Sequence, residues 1–322
     1  MSDDFSIFTS MRYDARLAQL KNRGCAGEGW NSENNSPLYM LDFHRDRLLK
    51  AATHWGWQSA ADQISGDDGL SYLAQLIANA VGPSHPTSLK LKIVVSHQGD
   101  IRIEHSSTPE VPIHNLLPAR LPGPFRPSLE SEPQKVSAYT VLLDQASTTR
   151  SEYTHFKTTK RAMYDAARQR AGISYADPVE VLIVSQDDGS VMEGTFTTPY
   201  FWRAGRWVTP PVAAQFSWEE GNGGQDGTSR RWALERYGAN PQPPPHHHLP
   251  PPPPEPTQLR AHPQPPHDFH TKLIYARDQL SYVEIHLLPV TAHHSPLVAR
   301  YSPPLLNHQK GPVRAWPTAR WT

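Results

Sequence analysis

Cysteine is all but missing from this chain. The single Cys25 allows no intramolecular disulfide, which fits a reducing compartment. Excess charge is also missing. Among 322 residues, 31 Lys and Arg balance 31 Asp and Glu, so no global field draws the chain to nucleic acid or anionic lipid. No apolar run approaches the roughly 18 residues of a transmembrane helix. The start, MSDDFSIFTSMRYDARL, has neither the basic residues nor the apolar stretch of a secretory signal. These absences predict a soluble, cytoplasmic protein with no nucleic-acid or membrane partner. Glycine is scarce in one region only: residues 239–322 contain Gly311 alone.

Proline and histidine gather in that same region. Residues 239–322 hold 19 of the 33 prolines and 10 of the 17 histidines. The text PQPPPHHHLPPPPPEP cannot form helix or sheet, because proline fixes φ and removes a backbone donor. Polyproline II is the local expectation. The shift divides the chain into four parts. Residues 1–116 read as a small α/β lobe and 117–136 as a Pro-rich linker. Residues 137–238 read as a larger lobe and 239–322 as a Pro/His tail, mostly disordered, although 271–290 keeps an order-compatible pattern. His246, His247 and His248 have no converging ligands in the sequence, so no metal is expected. The proline runs also suit SH3 or WW domains on composition alone.

Before the tail, helical and strand patterns alternate. FSIFTSMRYD (5–14) reads as a strand, and YMLDFHRDRLLKAATHWGW (39–57) and GLSYLAQLIANAVG (69–82) as helices. SLKLKIVVSHQGDIRIEH (88–105) reads as a hairpin turning at Gln98-Gly99-Asp100, and SAYTVLLD (137–144) as a strand. A helix is expected over 159–172, and strand, Asp-Asp-Gly turn, strand over 178–194. PYFWRAGRWVTPP (199–211) reads as a hairpin turning at Ala204-Gly205. GNGGQDGTSRRWALERYG (221–238) reads as a Gly-rich loop opening a short helix. Trp202, Trp207 and Trp218 are expected in the core or at a dimer contact.

Three features of the larger lobe would make one site. YTHFKTTKR carries Lys157 and Lys160 at a strand-to-helix transition. VMEGTFTTPYFW places Glu193 just past a turn. GGQDGTSRR places Thr228 and Ser229 at a helix start, with Arg230 nearby. Taken singly, each has a plainer reading: solvated lysines, a charged strand end, an ordinary Gly-rich connection. Taken together, they are what a pyridoxal phosphate enzyme needs. A lysine amine holds the cofactor aldehyde, a carboxylate holds the ring nitrogen, and helix-start N–H groups hold the phosphate.

Order and spacing resemble the fold-type IV pyridoxal phosphate enzymes, a family of class IV aminotransferases and aminodeoxychorismate lyases. The family pattern K-x-x-N-R is matched by Lys157-Thr158-Thr159-Lys160-Arg161, which selects Lys157 as the catalytic lysine and puts Lys160 where the family often has Asn. The pattern E-G-x-x-x-N is matched by Glu193 to Thr198, with Thr198 in place of Asn. G-[IV]-T-R is matched by Gly227-Thr228-Ser229-Arg230, and H-x-x-R-L by His44 to Leu48. The resemblance covers residues 5–238. It implies that Arg47, Gly227, Thr228 and Ser229 hold the phosphate, that Glu193 and Thr198 serve the cofactor, and that Lys157 also acts as general base.

The implied fold is a two-lobed α+β architecture, similar to D-amino-acid aminotransferase, forming a homodimer with the cofactor between its lobes. K-T-T-x-R and R-R-W-A-L-E are most similar to fungal-type aminodeoxychorismate lyases. These convert 4-amino-4-deoxychorismate, a small molecule, to 4-aminobenzoate and pyruvate in folate synthesis. Two other readings stay open: a branched-chain or D-amino-acid aminotransferase, and a catalytically incomplete relative. The second arises because the family's later W-[LIV]-[ST]-[NS]-[AG] segment has no match here. The larger lobe therefore reads as incomplete, as an unspliced intron or a shifted reading frame would leave it.

Overall fold

The structure, a computed structural model, describes residues 4–20, 29–118, 140–203, 206–238, 270–276 and 280–286. Cys25, nearly all of the linker at 117–136, the Ala204-Gly205 turn, the Pro/His tract with its three consecutive histidines, and Gly311 lie outside them.

The first lobe runs β1 (Ile7–Asp14), a 3-10 turn (Ala15–Gln19), α1 (Trp30–Asn34), α2 (Leu41–His54), α3 (Gln58–Ile64), α4 (Gly66–Val81), β2 (Ser88–Val95), β3 (Ile101–Ser107) and α5 (Ile113–Leu116). The strands form an antiparallel sheet in the order β1-β2-β3. The expected hairpin at 88–105 is β2 and β3, whose turn uses Gly99 at φ +95. A side chain there would be strained and would meet Gln63 and Ser59. Helix α2 buries Leu41, His44, Leu48, Ala51 and Ala52, a stripe at the three- and four-residue spacing that faces one side of a helix. With Leu73 and Ile77 of α4 and Ile7, Met11, Leu91 and Ile93 of the sheet, this stripe closes an aliphatic core.

The second lobe continues with β4 (Thr140–Thr148), α6 (Glu152–His155), α7 (Ala162–Arg170), β5 (Val179–Ser185), β6 (Val191–Gly194), β7 (Phe201–Arg203), β8 (Arg206–Val208) and α8 (Thr228–Gly238). Strands β4 and β5 are parallel, and the chain crosses between them through α7. Strands β5 and β6 are antiparallel, turning at Gly189 with φ +70. Tyr164 and Ala167 of α7 pack on Val181, Ile183 and Met192. The helix expected over 159–172 begins only at Ala162. Residues 157–159 are instead extended against the edge of β1: Phe8 N–H donates to the Lys157 carbonyl (2.9 Å), and Thr159 N–H donates to the Ser6 carbonyl (2.9 Å).

A second junction joins the lobes. Leu17, Leu20, Tyr39, Met40, Leu116 and Leu117 pack with Tyr200, Trp232 and Ala233, and Trp207 rests partly buried against them. Trp218 is not in the core: it is 64% exposed, edge-on to Phe216. The side chain of Trp202 lies outside the described residues. Within the tail, β9 (His270–Ala276) and β10 (Leu280–His286) form an antiparallel pair where 271–290 was order-compatible. Strand β9 runs close to β7. Among the described residues, no helix is long and apolar enough to cross a membrane.

Candidate active site

A cavity of about 240 Å³ opens where the lobes meet. Lys157, Glu193, Thr198, Gly227, Thr228, Ser229 and Arg47 all line it. Four separate stretches of chain therefore converge: the end of α6, the end of β6, the start of α8 and the middle of α2.

The two lysines have different surroundings. The backbone of Lys157 is held by its hydrogen bond to β1, and its Nζ sits 5.0 Å from the centre of the Phe8 ring, facing the cavity. Lys160 is aimed elsewhere. Its Nζ lies 4.7 Å from the Tyr153 ring centre and 5.5 Å from that of Phe5, and it does not line the cavity.

Glu193 is buried near the end of β6 and accepts a hydrogen bond from the Tyr164 hydroxyl at 2.6 Å. Tyr164 Oη in turn accepts from Gln225 Nε2 at 3.0 Å. Burial pushes the Glu193 carboxyl up to about 7, while Tyr164, Lys157 and Arg161 pull it down. A cation entering the cavity beside Glu193 would stabilise its carboxylate form.

The Gly-rich loop is fixed from both sides. Asn222 Nδ2 donates to the carbonyls of Met192 (2.8 Å) and Val191 (3.0 Å), which lays the loop along β6. Gly223 has φ +79, and a Cβ there would come within 2.6 Å of the Arg150 Cβ, so only glycine fits. The loop then delivers the first turn of α8, whose N–H groups have no intrahelical acceptors. A Cβ on Gly227 would stand 2.9 Å from Thr198 Oγ1, so a side chain at 227 would crowd Thr198. Helix α8 is tied to α2 by the ion pair Arg231–Asp46 (2.7 Å), and Arg231 stacks over the Phe43 ring. This brings Arg47 to the same end of the cavity, where its Nη2 is 3.4 Å from Gln225 Oε1. Arg230 does not line the cavity; it binds Asp226 and the Pro210 carbonyl.

Several lining or supporting residues went unread in the sequence. Arg161, matched to the K-x-x-N-R motif but given no role, lines the cavity, donates to the Thr195 carbonyl (2.6 Å) and lies over the Tyr164 ring. Lys90 and Lys92, both on β2, line the mouth. His44, read only as a helix-face residue of the H-x-x-R-L motif, bridges Thr9 Oγ1 (2.6 Å) and Thr228 Oγ1 (3.4 Å). Burial, reinforced by Arg47 and Lys157, lowers its pKa to about 3 and keeps the ring neutral. Lys90 and Lys92 did carry a signal, since two lysines at i and i+2 in an apolar strand must share one face.

The sequence profile of the class IV amino-transferases matches residues 26–240. No curated protein matches the chain. A solved structure from Mesorhizobium loti, assigned as an amino-acid aminotransferase, is 15% identical with a TM-score of 0.50; the match covers 87% of this chain and 98% of that one. Another from Thermotoga maritima, assigned as a branched-chain amino acid aminotransferase, is 14% identical with a TM-score of 0.43, covering 73% and 64% of the two chains. Members of the matched family depend on pyridoxal 5'-phosphate. The donor set here fits that group: an amine, a buried carboxylate, a glycine-lined helix start and Arg47 share one cavity. The chain belongs to the class IV amino-transferase family.

Proposed function

We propose that this chain is an aminodeoxychorismate lyase. It would act in the cytoplasm as a homodimer and split 4-amino-4-deoxychorismate into 4-aminobenzoate and pyruvate. The observation that carries the reading is the charge of the shared cavity. Among the described residues, Arg47, Lys90, Lys92, Lys157 and Arg161 line it against a single carboxylate, Glu193. Such a site favours an anionic cofactor together with an anionic substrate, and this substrate bears two carboxylates. Support for a lyase over an aminotransferase comes from K-T-T-x-R at Lys157 to Arg161 and R-R-W-A-L-E at Arg230 to Glu235, which resemble the fungal-type lyases.

When bound, pyridoxal phosphate supplies the electron sink. The chain's residues do the rest. First-turn N–H groups of Thr228 and Ser229, with Arg47, would bind the phosphate by charge and orientation. Thr198 closes the cradle beside Gly227. Glu193, oriented by Tyr164, would hold a proton on the ring nitrogen. Lys157 would hold the cofactor aldehyde, and its amine would serve as general base toward the substrate carbon that bears nitrogen.

The test is a product assay with purified protein, pyridoxal phosphate and 4-amino-4-deoxychorismate. The expected result is 4-aminobenzoate and pyruvate in equal amounts, abolished by Lys157→Ala. Transfer of the amino group from an amino acid to a 2-oxo acid, without 4-aminobenzoate, would overturn the lyase reading.

A further inference from the structure

Glu180 is a buried carboxylate that the proposed chemistry leaves without a task. It sits in β5, fully shielded from solvent, and five donors converge on it. Its Oε1 accepts from the N–H of Val181 (2.8 Å), the N–H of Thr195 (2.9 Å) and the hydroxyl of Thr195 (2.5 Å). Its Oε2 accepts from the N–H of Phe196 (3.3 Å) and the hydroxyl of Thr197 (2.7 Å). That fills the acceptor capacity of one carboxylate.

Four of the five donors belong to the turn that follows Glu193. The turn is closed by Gly194 N–H donating to the Thr197 carbonyl at 2.8 Å. A side chain on Gly194 would come within 2.9 Å of the Glu180 carboxylate, so turn and carboxylate are fitted to each other. The turn lines the cavity along its whole length, from Gly194 to Thr198. The Thr195 carbonyl holds Arg161, and Thr198 stands against Gly227 at the start of α8.

We infer that Glu180 is a positioning residue: it holds the turn at 194–198 in the shape that sets Thr198 and Gly227 to receive the cofactor phosphate. This rests on the reading of the cavity as a pyridoxal phosphate site. The carboxylate never touches the ligand. It acts through the two threonine hydroxyls and two backbone N–H groups of the turn. A glutamine at 180 would turn one acceptor into a donor facing those donors, so the turn could not keep its present shape.

The test compares affinities for pyridoxal phosphate and for pyridoxal, which lacks the phosphate, by titrating cofactor absorbance and protein fluorescence. Glu180→Gln is expected to bind pyridoxal phosphate about tenfold more weakly while its affinity for pyridoxal stays within about twofold of wild type. Thr197→Val, which removes one donor and keeps the shape, is expected to show about a threefold loss with the same selectivity. Equal losses for both compounds, or none, would overturn the inference. If Glu180→Gln does not fold by far-UV circular dichroism, Thr197→Val decides alone, and a variant indistinguishable from wild type sinks the idea. Wild type that takes up neither compound overturns the cofactor reading too, whereas wild-type uptake with unselective variants overturns only the role of Glu180.

Discussion

The two lobes bury different chemistry. The interior of the first is mainly aliphatic, with Ile7, Leu41, Leu48, Leu73, Ile77, Leu91 and Ile93 in it, and its buried polar groups are few, Arg12, Asp14 and His44 among them. From β4 to α8, by contrast, the buried set includes Asp144, Arg150, Arg168, Glu180, Glu193 and Arg230, with Thr195 and Thr197 between them. Apolar burial is non-directional and roughly additive in area. Buried polar groups stabilise only when every member is partnered, so they hold or fail as sets. The first lobe therefore works as a platform whose edge strand pins Lys157. The second gives up part of its apolar core to hold donors and acceptors at fixed places around the cavity.

That division can be attacked from either side. The largest effect is expected from Leu73→Ala, which empties a fully buried site in α4. It should lower stability by about 2–5 kcal/mol in urea unfolding while leaving affinity for pyridoxal phosphate within about twofold. A collapse of affinity would mean that the platform and the site are not separable.

Next comes Glu193→Gln. The carboxyl is raised in the fold from 4.5 to about 7, so between those values the folded chain binds more protons than the unfolded one. Its contribution to stability is full at low pH and is lost as pH rises through that window. Glutamine stays neutral throughout. The cofactor-free variant should match wild type near pH 4 and exceed it by up to about 3 kcal/mol near pH 8. A pH-independent difference in urea midpoints would contradict the buried-carboxyl account.

Gly227→Ala should weaken pyridoxal phosphate binding about tenfold, because the new methyl crowds Thr198, with little change in unfolding midpoint. An unchanged dissociation constant would remove Gly227 from the cradle. The smallest effect belongs to Lys160→Ala. It loses the contacts with Phe5 and Tyr153, worth about 0.5–1 kcal/mol, and should keep cofactor binding intact.

Much of the platform was legible because periodicity is local. The stripe Leu41, His44, Leu48 gave α2, and alternation around Gln98-Gly99-Asp100 gave β2 and β3. The motif residues of the site were legible through the resemblance, and all seven line one cavity. What stayed hidden was what contact between distant segments decides. The pairing of 157–159 with β1 delays α7, and nothing within YTHFKTTKR announces it. Glu180 drew no reading of its own in the strand expected at 178–194, although an acid flanked by apolar residues in a buried strand is itself a sign that partners must exist. Tyr164 and Gln225 lie 61 positions apart, and only the fold brings them to Glu193.

The central claim is that Lys157, and not Lys160, is the amine of a pyridoxal phosphate site. The most direct measurement is the visible absorption spectrum of the purified protein titrated with pyridoxal phosphate, for wild type, Lys157→Ala and Lys160→Ala. The account predicts a band of lysine-bound cofactor in wild type and Lys160→Ala and none in a folded Lys157→Ala. A band that survives loss of Lys157, or its absence from folded wild type, would contradict it.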